Sequence, residues 1–173
     1  MNHITITEYK PSYEEEIIRL ILTIQKDEFH LPVSIQDQPD LHHIPSVYQK
    51  NGNFWVALYQ EHPVGTLGLI SLNARQAALK KMFVEKDFRG APFSAASALM
   101  DHAAAWASSH HMTDLFLGTA DTFRRAHHFY ENHHFQQISR EELPPHFTAM
   151  KIDTRFYHLS LSRTYSKNTG IKA

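Results

Sequence analysis

Residues 80–95 read Lys80-Lys81-Met82-Phe83-Val84-Glu85-Lys86-Asp87-Phe88-Arg89-Gly90-Ala91-Pro92-Phe93-Ser94-Ala95, and the fold turns on how this stretch is parsed. The apolar run Met82 to Val84 ends a strand that starts near Ala78, and the charged run from Glu85 to Arg89 closes it as a loop. Pro92 predicts a helix start, because its missing N–H and fixed φ are best tolerated at the first helical position. From there to about Ser109, Phe93, Ala96, Met100, Ala103 and Ala107 recur at spacings of three and four, with Leu99 and Trp106 widening the stripe. The many alanines of this helix give it high propensity and let it pack closely on a sheet. A second strand, Leu115 to Gly118, and a second helix, Thr122 to His133, follow, and Phe135 closes the unit. A strand-helix-strand-helix run implies a right-handed crossover between two parallel strands.

Working outward toward the N-terminus, Phe54 to Tyr59 and Val64 to Leu72 read as strands joined by Gln60-Glu61-His62-Pro63, a connection short enough for an antiparallel hairpin. Gly65 and Gly68 inside the second strand weaken it unless something approaches the backbone closely. Ile4 and Ile6 alternate with Thr5 and Thr7, a period of two that predicts a short first strand. Ser12 followed by Glu15 reads as a capping box for an amphipathic helix carrying Ile17, Ile18, Ile21, Leu22 and Ile24 and ending near Phe29. Between His30 and Ser46, Pro32, Pro39 and Pro45 predict an irregular segment, and a long irregular segment in a compact domain suggests a substrate wall. It carries Asp37 and Asp40, with Asp27 and Glu28 just before it. Toward the C-terminus, Gln136 to Ile138, a Pro144-Pro145 break and a last strand from Arg155 to Leu161 complete one domain over 1–162, leaving a frayed tail over 163–173.

Composition removes several function classes. Seventeen Lys plus Arg against eighteen Asp plus Glu leave a formal net charge of −1, so no global field attracts nucleic acid or an anionic membrane. The absence of cysteine excludes disulfides, thiolate metal ligands and a cysteine nucleophile. No window reaches the roughly 18 apolar residues of a membrane span, and the N-terminus lacks the pattern of a secretory leader, so a cytoplasmic protein is expected. Fourteen histidines include the pairs His42-His43, His110-His111, His127-His128 and His133-His134, but adjacent histidines on a helix point apart and His-Glu-x-x-His is absent. No metal is expected.

In its order of elements, the stretch from Lys80 to Phe135 resembles the GNAT acyltransferases, which move an acetyl group from acetyl-CoA to an amine. The resemblance rests on the strand, the Arg89-Gly90-Ala91-Pro92-Phe93-Ser94-Ala95 turn, the helix, the next strand and Ala126-His127-His128-Phe129-Tyr130-Glu131. It implies an α/β fold of the α+β type, a mixed, mostly antiparallel sheet with helices on both faces and one parallel strand pair splayed for CoA. Leu143 to Tyr157 looks like a hallmark of an uncharacterised bacterial subgroup. Pro92 and Ser94 stand where the family usually carries glycines, and Phe123 where an asparagine often opens the last helix.

The resemblance assigns residues as well. Arg89, Gly90, Ala91, Phe93, Ser94 and Ala95 would offer backbone donors to the CoA pyrophosphate at a helix start. Met82, Phe83 and Val84 would pair with the pantetheine arm as an added strand would, with the thioester near Met82 and Phe83. Phe123 and Ala126 would lie against the same arm. Tyr130 aligns with the tyrosine that protonates the departing thiolate, a role a phenol can fill because it is protonated at neutral pH. On the central strand, where relatives often keep an acid as base, this chain has Leu79, Lys80 and Lys81. Glu28, His30 and the pair Asp37/Asp40 are the candidates for that base and for the acceptor contacts. The expected partner is a small-molecule or peptide amine, with a homodimer left open. The competing reading is a non-catalytic CoA-binding or protein-interaction module on the same fold.

Overall fold

The computed structural model describes residues 3–161; the expected frayed tail lies outside the described residues. Among the described residues, seven strands form one sheet: β1 Thr5–Glu8, β2 Asn53–Tyr59, β3 His62–Ser71, β4 Gln76–Val84, β5 Asp114–Thr119, β6 Gln136–Ile138 and β7 Arg155–Ser160. Their order is β1-β2-β3-β4-β5-β7-β6. The helices are α1 Glu14–Thr23, α2 Ile44–Val47, α3 Ala95–Ser109 and α4 Arg124–Asn132, with short 3-10 turns between them. As the crossover pattern requires, β4 and β5 run parallel, in register from Gln76↔Asp114 to Ala78↔Phe116. β7 pairs antiparallel with β5 and with β6. The fold is thus α+β with a mostly antiparallel sheet.

The chain forms two compact units, Met1–Ile70 with Lys80–Ala103, and Ser71–Leu79 with Ala104–Ala173. In the first, α1 presents Ile17 and Ile21, both fully buried, to a core of Tyr9, Leu41, Ile44, Tyr48, Phe54 and Val56. Full burial of one such aliphatic side chain is worth about 1.5–3 kcal/mol. The β2–β3 hairpin turns on two residues rather than four. Gln60 and Glu61 have φ of 49 and 67, the paired left-handed conformation of a type I′ turn, and Tyr59 faces His62 across it. Gly68 answers the close-approach question: a Cβ there would lie 2.7 and 2.8 Å from the Tyr48 ring and 2.8 Å from the Phe54 ring. In the second unit, β5, α4 and β7 enclose Leu115, Leu117, Tyr130, Phe135, Phe156 and Tyr157.

Three local expectations are corrected. Ser12 and Glu15 form no capping box. A 3-10 turn, Pro11–Tyr13, leads into α1 without a side-chain cap, and the capping boxes are Ser34 with Asp37 and Ser139 with Glu142. The amphipathic helix does not stay α-helical to Phe29; Ile24–Glu28 is a π-turn, with the Phe29 amide bonded to the Ile24 carbonyl at 3.1 Å. Two of the three prolines of the 30–46 segment start structure instead of breaking it, Pro39 opening a 3-10 turn and Pro45 sitting in the first turn of α2. Among the described residues, no helix is long and apolar enough to cross a membrane.

Candidate functional site

The turn after β4 is built by packing on both flanks. Phe88, at the end of a 3-10 turn, and Phe93 meet each other at 4.9 Å between ring centroids and meet Tyr59 at 5.0 and 5.1 Å. Between these anchored rings the tip is open: a Cβ on Gly90 would find nothing within 4 Å. The helix does not open at Pro92. Pro92 follows a cis bond inside the turn, Ser94 takes φ 48, and α3 begins at Ala95. The Ser94 amide donates to the Gly90 carbonyl at 2.9 Å, so it is spent within the turn, whereas Ala95 and Ala96 precede the first intrahelical bonds of a fifteen-residue helix. The positive end of that helix therefore faces the turn.

Arg89 turns its side chain to its own unit. Nε donates to the Val84 carbonyl at 2.7 Å, and the guanidinium forms a two-pronged ion pair with Glu28 at the end of the π-turn. The two side chains are 21% and 30% exposed, and the guanidinium also lies 5.8 Å from the Phe29 ring centroid. Glu28 is thus engaged by the residue that precedes the open turn. Within β4, Met82 and Phe83 are half-buried and Val84 is buried; just before them, Lys81 takes φ 53 and its carbonyl accepts the Thr66 hydroxyl at 2.6 Å.

The other acidic candidates are also engaged. Asp37 caps its own 3-10 turn, accepting the Ser34 amide at 2.9 Å and hydroxyl at 3.0 Å. Asp40 accepts the Tyr48 hydroxyl at 2.6 Å and lies 3.7 Å from the Lys81 ammonium. Burial first, and the Asp40 carboxylate second, raise the Tyr48 phenol well above its ordinary pKa. His30 is exposed, in the left-handed conformation at φ 53.

The second unit holds the remaining sequence-derived residues. Phe123 precedes α4 and its amide donates to the Ala120 carbonyl at 3.1 Å; Ala126 is half-buried one turn later. Tyr130 is 6% exposed, its ring 5.6 Å from Phe135, 5.8 Å from Phe129 and 5.9 Å from Tyr157. Burial, then the charge of Asp153 and the Tyr157 phenol, raise its pKa above the ordinary phenol value, so it stays protonated well past neutrality. Asp153 went unnoticed in the sequence. It is buried, accepts the Met150 amide at 2.8 Å, and its Oδ2 would lie 2.7 Å from a Cβ at Gly118. Only the fold brings it to β5, thirty-five positions along the chain from Gly118.

A cleft of about 600 Å³ opens on α4, lined by Asp121, Arg124, His127, His128, Glu131 and Arg155. Arg124, His128 and Glu131 follow helical spacing, but Arg155 arrives from β7, so no local pattern could have revealed the cleft. His127 is tied inward by a 2.9 Å hydrogen bond between Nε2 and the Ala120 carbonyl. Among the described residues, no group of three or more His, Asp or Glu is arranged to hold a metal ion.

Residues 18–135 match the model of the acetyltransferase (GNAT) family. No curated protein matches the chain. Among solved structures, the chain is 41% identical to an acetyltransferase of the GNAT family from Staphylococcus aureus Mu50, covering 91% of this chain and 99% of that one, with a TM-score of 0.87. It is 31% identical to an acetyltransferase from Streptococcus agalactiae 2603, over 92% and 99% of the two chains, with a TM-score of 0.88. At 16% identity, and so in fold alone, it is similar to N-acetylglutamate synthase from Neisseria gonorrhoeae, whose structure holds coenzyme A and N-acetyl-glutamate; the match covers 93% of this chain and 36% of that one, at a TM-score of 0.72. With a family match over more than half its length and two near-full-length relatives above 30% identity, the chain belongs to the GNAT acetyltransferase family.

Proposed function

We propose that the chain is a cytoplasmic N-acetyltransferase that moves an acetyl group from acetyl-CoA to a primary amine of a small molecule or peptide by direct attack. The observation that carries this reading is the turn before α3, anchored by Phe88 and Phe93 on Tyr59, open at Gly90, and followed by the start of a fifteen-residue helix. Such a helix start favours phosphate without a lysine. The CoA held by N-acetylglutamate synthase supports CoA as the donor in a chain of the same fold.

In this reading the Arg89–Ala95 turn holds the pyrophosphate, and the arm follows Met82, Phe83 and Val84, whose amides polarise the thioester carbonyl. Phe123 and Ala126 are the cofactor contacts that the second unit would contribute. The amine nitrogen forms the C–N bond as the C–S bond breaks; the nitrogen loses a proton, and Tyr130 gives one to the thiolate sulfur. The raised pKa of Tyr130 supports a phenol that is protonated when the thiolate forms, although it makes the phenol a weaker acid. The acceptor enters beside the 30–46 segment. Because Glu28, Asp37 and Asp40 are each engaged, they shape that wall, and His30 is the base we favour.

A non-catalytic CoA-binding module is the second reading, favoured by the Ser94 amide being spent on Gly90. Calorimetric titration of acetyl-CoA into wild type and Gly90→Val tests the binding. The variant should fold normally, since Gly90 faces open space at an ordinary φ, and should bind about 10–100-fold more weakly if phosphate approaches that surface. Equal heats, or none, overturn the CoA site. Release of free thiol with a panel of amines, lost in Tyr130→Phe, separates enzyme from module; CoA binding without turnover favours the module.

A further inference from the structure

β4 contains a residue that a strand does not readily accommodate. Lys81 has φ 53, in the left-handed region where an L-residue's Cβ crowds the following carbonyl, so its surroundings must hold it there. On the backbone side, Thr66, fully buried, donates its hydroxyl to the Lys81 carbonyl. On the side-chain side, the kink sends Lys81 into the interior of its unit, where it is 7% exposed. There Nζ donates to Gln38 Oε1 at 2.8 Å and lies 3.7 Å from the Asp40 carboxylate.

Its partners are themselves fixed. Gln38 and Gln25, each 1% exposed, exchange a reciprocal pair of amide hydrogen bonds at 2.8 and 2.9 Å, and Gln38 also donates to the Ser34 carbonyl at 3.3 Å. Asp40 is held by Tyr48. The π-turn, the 34–42 stretch and β4 therefore meet in one polar network, with no buried side-chain polar atom left unsatisfied among the described residues. Taking an ammonium out of water is strongly unfavourable unless its partners stand in good geometry, so the buried charge ties Gln38 and Asp40 to β4.

We propose that Lys81 is a positioning residue for the acceptor: by holding Gln38 and Asp40, it fixes the 34–42 part of the acceptor-side wall against the strand that carries Met82 and Phe83. This rests on the acceptor placement given under the proposed function. Lys81 itself does not receive the acceptor, because its head is already occupied. Its importance lies in distance, since a misplacement of about 1 Å far from the bond being made can cost about 100-fold in rate.

The test uses the full chain and three variants: Lys81→Met, which keeps length and removes the charge; Lys81→Arg, which restores a cationic donor; and Thr66→Val, which loosens the kink without touching the interior charge. Amide hydrogen exchange over 34–42 is measured in the free protein, and turnover is measured with the best amine found. Lys81→Met should speed exchange over 34–42 about tenfold or more and lower acceptor kcat/KM about 10–100-fold, with the KM for acetyl-CoA within about twofold of wild type. Lys81→Arg should recover most of both losses, and Thr66→Val should move both in the same direction by a smaller factor. If Lys81→Met does not fold, Thr66→Val decides alone. Unchanged exchange, or acceptor and acetyl-CoA parameters falling together without recovery in Lys81→Arg, overturns the role of Lys81. Absence of turnover in wild type instead overturns the proposed activity, and with it the acceptor role, whatever the exchange shows.

Discussion

Replacing Gly68 by alanine should destabilise the protein by an amount that the packing around it bounds. The new Cβ would stand 2.7–2.8 Å from carbons of the Tyr48 and Phe54 rings, whereas carbon atoms rest at about 3.5–4.0 Å. Neither ring has room to retreat: both are buried, and they pack edge to face with centroids 5.1 Å apart. Overpacking of this kind costs about 1–3 kcal/mol. If Tyr48 yields, its hydrogen bond to Asp40 is lost as well, worth about 1.5–3 kcal/mol for a charged acceptor. Against these, alanine restricts the unfolded chain and returns about 0.4–1 kcal/mol. The net expectation is a loss of about 2–4 kcal/mol, which for a chain of this length lowers Tm by roughly 4–16 °C. Thermal unfolding followed by circular dichroism measures it, with Gly90→Ala as the control that should stay within about 0.5 kcal/mol of wild type. A Gly68→Ala protein that melts with the wild type would refute the packing of Tyr48 and Phe54 over β3.

Alkaline stability offers a second check. The Tyr48 and Tyr130 phenols are raised by burial, so stability is fully present below the unfolded value of about 10 and falls as pH rises toward the folded values. Urea unfolding between pH 8 and 11 should show a slope of about 1.4 kcal/mol per pH unit per tyrosine above 10, and Tyr130→Phe should remove one share; an unaltered slope contradicts the burial of that hydroxyl. Gly118→Ala should push the Asp153 carboxylate off the Met150 amide and cost about 1–3 kcal/mol in the same assay. A double-mutant cycle of Glu28→Gln with Arg89→Met should return a coupling of about 1 kcal/mol; a value near zero would mean the pair does not tie the π-turn to the loop.

Elements written in local periodicity were legible in the sequence. The stripe of α3 and the apolar runs and short turn of β2 and β3 rest on neighbours within a few positions, and they hold to within a few residues of their expected bounds. Pro92 misled because proline suits a helix start and a tight turn equally, and the sequence does not say which backbone it serves. Ser12 and Glu15 carry the residue types of a capping box, but Pro11 starts a 3-10 turn there and the box closes elsewhere. Glu28 and Asp40 read in the sequence as candidates for the base and the acceptor contacts, and their ion-pair partners, Arg89 and Lys81, lie too far along the chain to be seen there. Which charges meet is set by the packing of strands and turns, so the local run of acids does not by itself say which of them a ligand can reach.

The π-turn at Ile24–Glu28 makes that corner sensitive to chain length in a way that side-chain substitution would not reveal. A π-turn holds about one residue more per turn than an α-helix, so removing a single residue there leaves enough chain to close an ordinary helix. The side chains within the turn would then step around the axis by the α-helical angle of about 100° per residue, larger than in the π-turn, while the residues after it keep their phase. Gln25 and Glu28, both inside the turn, would then meet Gln38 and Arg89 from altered directions, with no other residue altered. A homologue one residue shorter at this corner could keep the sheet intact while presenting a different surface beside β4, so insertions and deletions here deserve as much weight as substitutions when acceptors are compared between relatives.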